Sequence, residues 1–536
     1  MTTNHHLAIS GEKMRAALPK LLAAVPGEWR GTTFKNHNLL GRRQFAENMA
    51  DLIKSNKEEY TEEDMVAVGN AEDYLRVASN VSTTLELTLA RVRDIDVDQV
   101  WSFASTRMPV LSVLLTAGDT PVTLYTGDAP AMFTPAHADL LALLGVNLTQ
   151  KTGPPQSSLD AIVLALDSAG GLGADGVIAG NVLYIINVDK IKPDEILVIR
   201  KRMSTPLTTP VAIAMMQELC GLPDTGTKPA PSQAELDAFY AHLQTMSGTA
   251  ANPACQPAVF TAGLSAICSM YVALLKQKGC NLLMCSTAYG GSSQLTDLIT
   301  SRAPTFSKST FDIQGDADIG KSIQTSLNAL AKDPAALHPT TVLFVEIPTN
   351  PDMKVPDLDD VGKYVSEYKA ATGKRVILCI DATFAPSSKV MEKVRAMDPD
   401  LPCLAFISMS KSVSQGETTA GALVANHTPD AIELLGDIRE CAAMMDTAAK
   451  TDQLHFLCKR HAGTEERCAE AYQVAKAVGD ALRVAVKKNT GTDMPLAFVR
   501  EEHAKIGFTS STFSFNLPVP EGASAAQTAA LGTMHI

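Results

Sequence analysis

The sequence is short of aromatic residues, which make up 5% of its 536 positions and include 2 tryptophans. Strand-rich cores lean on aromatic and β-branched side chains, so this Ala/Leu/Val-rich chain reads as α/β rather than all-β. Long apolar runs are missing too. The longest, 176–188, carries Asn181 and Asn187 and falls short of the roughly 20 residues a membrane helix needs. No basic segment followed by an apolar stretch opens the chain, so neither a signal peptide nor a membrane partner is expected. Positive charge is in deficit, with 46 Lys and Arg against 58 Asp and Glu and a net charge of −12. That balance argues against nucleic acid gripped through its phosphates. No two cysteines have the C-x2-C spacing of a structural zinc site, so no metal is expected. No cysteine precedes Cys220. Ten cysteines in a large chain without an export signal point to the reducing cytoplasm.

What is present is apolar material for at least two cores, at 46% of the residues. Residues 1–205 read as an α/β domain of unassigned function. Amphipathic helices are expected at 42–55 and 61–78, and strand-like runs at 109–116, 121–125, 160–166 and 177–188. Residues 206–250 are rich in Pro, Thr and Gly and read as a linker, with one helix at 233–246. From 251 to 425 helices (265–277, 319–330, 361–371) alternate with strands (281–285, 341–345, 375–380, 403–408). Such alternation predicts a large domain built on a mainly parallel, doubly wound sheet. Residues 426–536 read as a smaller C-terminal α/β domain, with helices at 429–450 and 465–488 and a strand-like run at 507–517.

Two glycine patterns suggest phosphate loops. Gly171-Leu-Gly173-Ala-Asp-Gly176 matches G-x-G-x-x-G, but that motif needs a helix after it, and a strand-like run follows. A plain turn is the better reading. Gly315-Asp-Ala-Asp318-Ile-Gly320-Lys321-Ser322 matches the P-loop pattern, with Asp381 as the matching strand-end acid. Carboxylates inside a loop that must cradle phosphate repel it. An N-cap by Asp318 for the helix from 319 explains the residues as well. A P-loop nucleotide hydrolase remains the alternative function on this motif.

A stronger set uses Asp381 differently. Lys411 follows a strand in Ser408-Met-Ser410-Lys411. A lysine set among small hydroxyls after a buried strand suits a Schiff-base nucleophile, and the hydroxyls suit phosphate oxygens. Asp381 ends an apolar strand, where ligands of α/β sheets bind. A carboxylate there can hold a proton on a pyridine nitrogen. Ala262-Gly263-Leu264-Ser265 opens a helix with backbone N–H groups free for an anion. Tyr289-Gly290-Gly291 offers a ring for stacking on a flat cofactor, and Glu346-Ile-Pro-Thr-Asn350-Pro351 ends another strand in a polar turn.

In this order the motifs resemble those of the pyridoxal-phosphate enzymes of cysteine and methionine metabolism, the transsulfuration family of cystathionine γ-synthase type. The resemblance runs from about 222 to 480. Glu346 to Pro351 is similar to E-x-P-[ST]-N-P, and Ser408 to Lys411 to S-x-[ST]-K. Asp381-Ala382-Thr383-Phe384 is similar to D-[ND]-T-[FI], apart from Ala382. The resemblance implies a fold-type-I enzyme with pyridoxal 5'-phosphate as cofactor and a small amino acid as substrate. It implies a γ-replacement transferase or a β/γ-eliminating carbon–sulfur lyase, assembled as a homodimer or homotetramer. By the same resemblance Lys411 carries the cofactor and shuttles protons, and Asp381 pairs with the ring nitrogen beside Thr383. Tyr289 stacks on the ring and serves as acid or base. Gly263, Leu264, Ser408 and Ser410 hold the phosphate, and Asn350 approaches the ring hydroxyl. The family also has a Y-x-R that reaches the phosphate from a neighbouring subunit, and it should fall near 225–227. The chain there reads Thr225-Gly-Thr227-Lys228, which makes Lys228 the candidate for that charge. The family's arginine for the substrate carboxylate finds only a poor match in Arg500. A degenerate protein that binds the cofactor without turnover is therefore a second alternative.

Overall fold

The computed structural model describes residues 9–31, 38–72, 74–314, 317–491, 493–515 and 524. Strands β1 (Val100–Ser102), β2 (Val122–Tyr125), β3 (Leu148–Lys151), β4 (Ile162–Leu166), β5 (Gly176–Ala179) and β6 (Val182–Ile185) form a six-stranded sheet. Its order is β1-β6-β5-β4-β2-β3. A seven-stranded sheet follows, from β7 (Ala258–Phe260), β8 (Cys280–Cys285), β9 (Phe306–Phe311), β10 (Thr340–Glu346), β11 (Arg375–Asp381), β12 (Cys403–Ser408) and β13 (Gly421–Ala425). Its order is β7-β13-β12-β11-β10-β8-β9. Strands β9, β8, β10, β11 and β12 run parallel, while β13 is antiparallel to both of its neighbours. The central strands are buried throughout and so read as apolar runs. The chain is thus α/β with a mainly parallel, helix-covered sheet, as expected.

Three readings of residues 1–205 need correction. The run 109–116 lies in a helix, Met108–Thr116, with Pro109 in its first turn. Proline suits that position because its N–H would be unpaired anyway, and a short apolar run alone does not separate buried helix from strand. The run 177–188 is a hairpin, not one strand. Gly180-Asn181 turns it, with Gly180 at φ +57°, a conformation glycine adopts without strain. The expected helix 61–78 stops early, at Glu62–Ala67. Gly69, at φ +94°, breaks it, and the next helix, Asn80–Arg93, starts behind a Ser79 cap.

Within 206–250 the structure has helices Thr209–Leu219 and Gln233–Ser247. The first packs on Asn80–Arg93. Toward the C-terminus, helix Pro429–Met445 lies against helix Gly263–Lys276 of the large sheet. Of the run 507–517, Ser514–Phe515 pairs with Leu496–Ala497, and 516–517 lie outside the described residues. No helix among the described residues is long and apolar enough to cross a membrane.

Candidate active site

The carboxyl ends of β10 and β11 place Glu346 and Asp381 side by side in register, and β12 runs on past Phe406, the partner of Asp381, to Ser408. These residues wall a cavity of about 310 Å³. Lys411, Thr383, Tyr289, Asn350, Gly263 and Leu264 line it as well. Seven of the eight residues singled out beside Lys411 are therefore gathered round it. The exception is Ser410, which is not among the lining residues; its hydroxyl meets the Ala420 backbone as well as Tyr74. It accepts from the N–H of Ala420 at 3.0 Å and donates to that residue's carbonyl at 3.3 Å. Its role is to hold the turn that carries Lys411.

Local hydrogen bonds fix the wall. The Thr383 N–H donates to the Asp381 carboxylate at 2.9 Å, and the Thr383 hydroxyl accepts from the Ser408 N–H at 2.9 Å. The Tyr289 N–H donates to Glu346 at 2.6 Å. Burial pushes the Glu346 carboxyl well up, and the neighbouring Asp381 charge adds to the shift. Burial also raises Asp381, although its bonds to Thr383 oppose this. Two carboxyls this close in a dry wall do not both ionise readily.

Helix Gly263–Lys276 points its N-terminus into the cavity, and no side chain caps it. A Cβ on Gly263 would lie 3.1 Å from the Phe406 ring and 3.3 Å from the Ser408 Cβ. The glycine keeps the backbone close and bare, as an anion site requires.

Two further lining residues come from the N-terminal part of the chain, and neither was singled out from the sequence. Tyr74 lies with its ring centroid 4.3 Å from the Lys411 Nζ. Arg76 is buried and donates from Nη2 to the Tyr289 hydroxyl at 3.0 Å. Burial alone would raise the Tyr74 phenol. The Lys411 charge, the Ser410 hydroxyl, the Arg76 charge and the Ser408 hydroxyl outweigh it and hold the phenol below its ordinary value. Tyr74-Leu75-Arg76 is itself a Y-x-R, and that spacing was the available signal. Lys228, the residue expected to supply this charge, lies elsewhere, in a cavity with Arg30, Glu417 and Arg460. Arg500 is not among the residues lining the site and meets Glu502 at 3.8 Å.

The P-loop reading gains no geometry. Gly315 and Asp316 lie outside the described residues. Asp318 caps helix Ile319–Leu330, accepting from the Lys321 N–H at 3.2 Å. The Lys321 side chain is exposed beside Asp318 and is absent from the cavity that holds Asp381. Gly176, the last glycine of the other loop pattern, begins β5.

Residues 237–482 match the family model described as Cys/Met metabolism PLP-dependent enzyme. That is the family which the sequence motifs resemble, and pyridoxal phosphate is its cofactor. No curated protein matches the chain. Among solved structures, the cystathionine γ-lyase of Micromonospora echinospora is 17% identical, with a TM-score of 0.37. That comparison covers 53% of this chain and 67% of the other. The cystathionine γ-synthase of Xanthomonas oryzae pv. oryzae in complex with cystathionine is 19% identical, with a TM-score of 0.39. There the shares are 54% and 67%.

The residues present fit the cofactor. The Glu346 Oε2 and the Ser292 Oγ are buried in the cavity wall without a hydrogen-bond partner, and such groups call for a polar ligand. An uncapped helix N-terminus, an arginine and a serine hydroxyl suit the phosphate. A buried aspartate suits the pyridine nitrogen, and Lys411 suits the aldehyde.

Proposed function

We propose that the protein is a pyridoxal-phosphate enzyme of sulfur amino-acid metabolism. Its reaction is replacement at the γ-carbon, or elimination at the β- or γ-carbon, of a cysteine- or homoserine-derived substrate. The observation that carries this reading is the convergence of Lys411, Asp381 and the uncapped helix start at Gly263 on one cavity.

When bound, the cofactor supplies an electron sink for carbanions next to an amino group. The N–H groups of Gly263 and Leu264, the Ser408 hydroxyl and the Arg76 guanidinium hold its phosphate. Asp381, oriented by Thr383, holds a proton on the ring nitrogen. Tyr289 and Asn350, which line the same cavity, would contact the ring. The Lys411 amine would hold the cofactor and serve as the proton-carrying base of the site. Tyr74 sets its ring 4.3 Å from that amine.

The purified protein is expected to develop a visible absorbance band with pyridoxal phosphate, and Lys411→Ala to abolish it. Cysteine, homocysteine or acyl-homoserine should then release thiol, ammonia or a 2-oxo acid, or form a thioether. A protein that stays colourless with the cofactor rules the reading out. A coloured protein that turns over none of these substrates leaves a cofactor-binding role alone.

A further inference from the structure

The two sheets follow one plan. In each, the first strand is antiparallel to the last, which is antiparallel to the strand before it; the remaining pairings are parallel. The orders β1-β6-β5-β4-β2-β3 and β7-β13-β12-β11-β10-β8-β9 superimpose once a single inner strand is removed from the second. The helices correspond as well. Asn80–Arg93 precedes the first sheet as Gln233–Ser247 precedes the second. Met108–Thr116 and Gly263–Lys276 follow the first strands, and Pro135–Ala142 and Gly290–Thr300 the next. Pro193–Met203 and Pro429–Met445 close the two units, and each begins Pro-Asp. Just past the first strand, the Ala104 N–H donates to the Thr205 carbonyl and the Thr261 N–H to the Thr447 carbonyl, both at 2.9 Å. Each acceptor lies two residues beyond its closing helix.

The contacts between the units are reciprocal. The Ser105 hydroxyl donates to the Met445 carbonyl at 2.9 Å, and the Ser265 hydroxyl to the Met203 carbonyl at 3.1 Å. Met203 and Met445 are the last residues of the two closing helices. Arg202 of one closing helix bonds Gln294 of helix Gly290–Thr300. An interface in which i meets j and j meets i is the mark of a two-fold pair of like subunits.

We propose that residues 80–203 are a second copy of the fold of 233–445, without a cofactor site of its own. The copy stands, within one chain, where a two-fold-related subunit would stand. The segment 409–420 of the second unit, which carries Lys411, corresponds to the tight turn Gly180-Asn181 of the first. At the carboxyl end of β4, Asp167 follows Leu166 where Asp381 ends β11, but it is exposed and paired with Arg93 at 2.9 Å. The copy's contribution is Tyr74 and Arg76, just ahead of its first helix, which complete the other unit's site in cis.

This inference rests on the proposed cofactor role. Its test pairs two defective variants, Lys411→Ala and Arg76→Ala, co-expressed under separate tags and purified together. Pyridoxal phosphate is the probe and visible absorbance the readout. In-chain completion predicts only the weakened binding of Arg76→Ala, since no intact lysine and arginine share a chain. Recovery of wild-type affinity in part of the sites would mean that Arg76 crosses between chains, and would overturn the proposal. A second measurement does not need the cofactor. Arg202→Cys with Gln294→Cys, bridged by a short bis-maleimide, should give a closed single chain on a denaturing gel. A covalent dimer overturns the proposal. Failure of the wild type to bind the cofactor, with a closed single chain on the gel, would remove the enzymatic reading and leave the duplication standing.

Discussion

Glu86 and Glu346 are both buried glutamates, one beside each sheet, and they are shifted in opposite directions. Glu86 meets the Arg42 Nε at 2.7 Å and the Arg200 Nη1 at 2.5 Å. It also accepts from the N–H and hydroxyl of Ser102, at 2.9 and 2.7 Å. Burial would raise its pKa, but Arg200 and Arg42 hold it below the ordinary value. Trp101 is flanked by the same two guanidinium groups, at 4.3 and 4.6 Å. Among the described residues Glu346 has no salt-bridge partner, and burial beside Asp381 raises it. The difference shows what each unit uses buried charge for. In the first, charges are neutralised in pairs and tie helix, strand and closing helix together. In the second, they are left under-satisfied at the strand ends, where a ligand can meet them.

The largest effect should come from breaking the paired cluster. Glu86→Ala leaves the buried Arg200 guanidinium without its carboxylate, while Arg42 keeps Asp98 at 2.9 Å, and is expected to cost about 3–5 kcal/mol, read as a lower urea midpoint. A loss under about 1 kcal/mol would mean the cluster contributes little net stability.

The cavity carboxyl should behave in the opposite way with pH. Because the folded-state pKa of Glu346 is raised, the folded protein binds more protons than the unfolded chain, and stability falls as pH rises. For the cofactor-free protein the fall should spread from pH 4.5 to about 8. Glu346→Gln should flatten that part of the melting profile. An unchanged slope in the variant would assign the pH dependence to other groups.

A smaller effect separates the capped helix from a nucleotide loop. Asp318→Ala should cost about 1 kcal/mol, the usual value of an N-cap. Lys321→Ala should leave stability and cofactor absorbance unchanged. Magnesium-nucleotide binding that disappears in Lys321→Ala would revive the P-loop.

The second unit was legible in the sequence because its site residues sit at the ends of long apolar strands, each followed by a short motif. Lys411, Asp381, Asn350 and Tyr289 are all found that way. The sequence does not reveal that the Ser410 hydroxyl also bonds the Ala420 backbone, because a hydroxyl beside a lysine can face either way. The first unit was opaque for physical reasons. Its strands β2, β4, β5 and β6 are short, so a hairpin read as one strand and an apolar helix as another. Tyr74 and Arg76 lie in a segment whose periodicity suits a helix running on from Glu62–Ala67. Gly69 breaks that helix, and the cavity they line is assembled from residues far along the chain.

The central claim is that the site draws on both parts of the chain. Titration of the wild type and of Arg76→Ala with pyridoxal phosphate, followed in the visible, tests it most directly. Loss of a charged hydrogen-bonding partner is worth about 1.5–3 kcal/mol. The variant should therefore form the same band at roughly 10- to 100-fold higher cofactor concentration. Equal affinity in the two proteins would contradict the account.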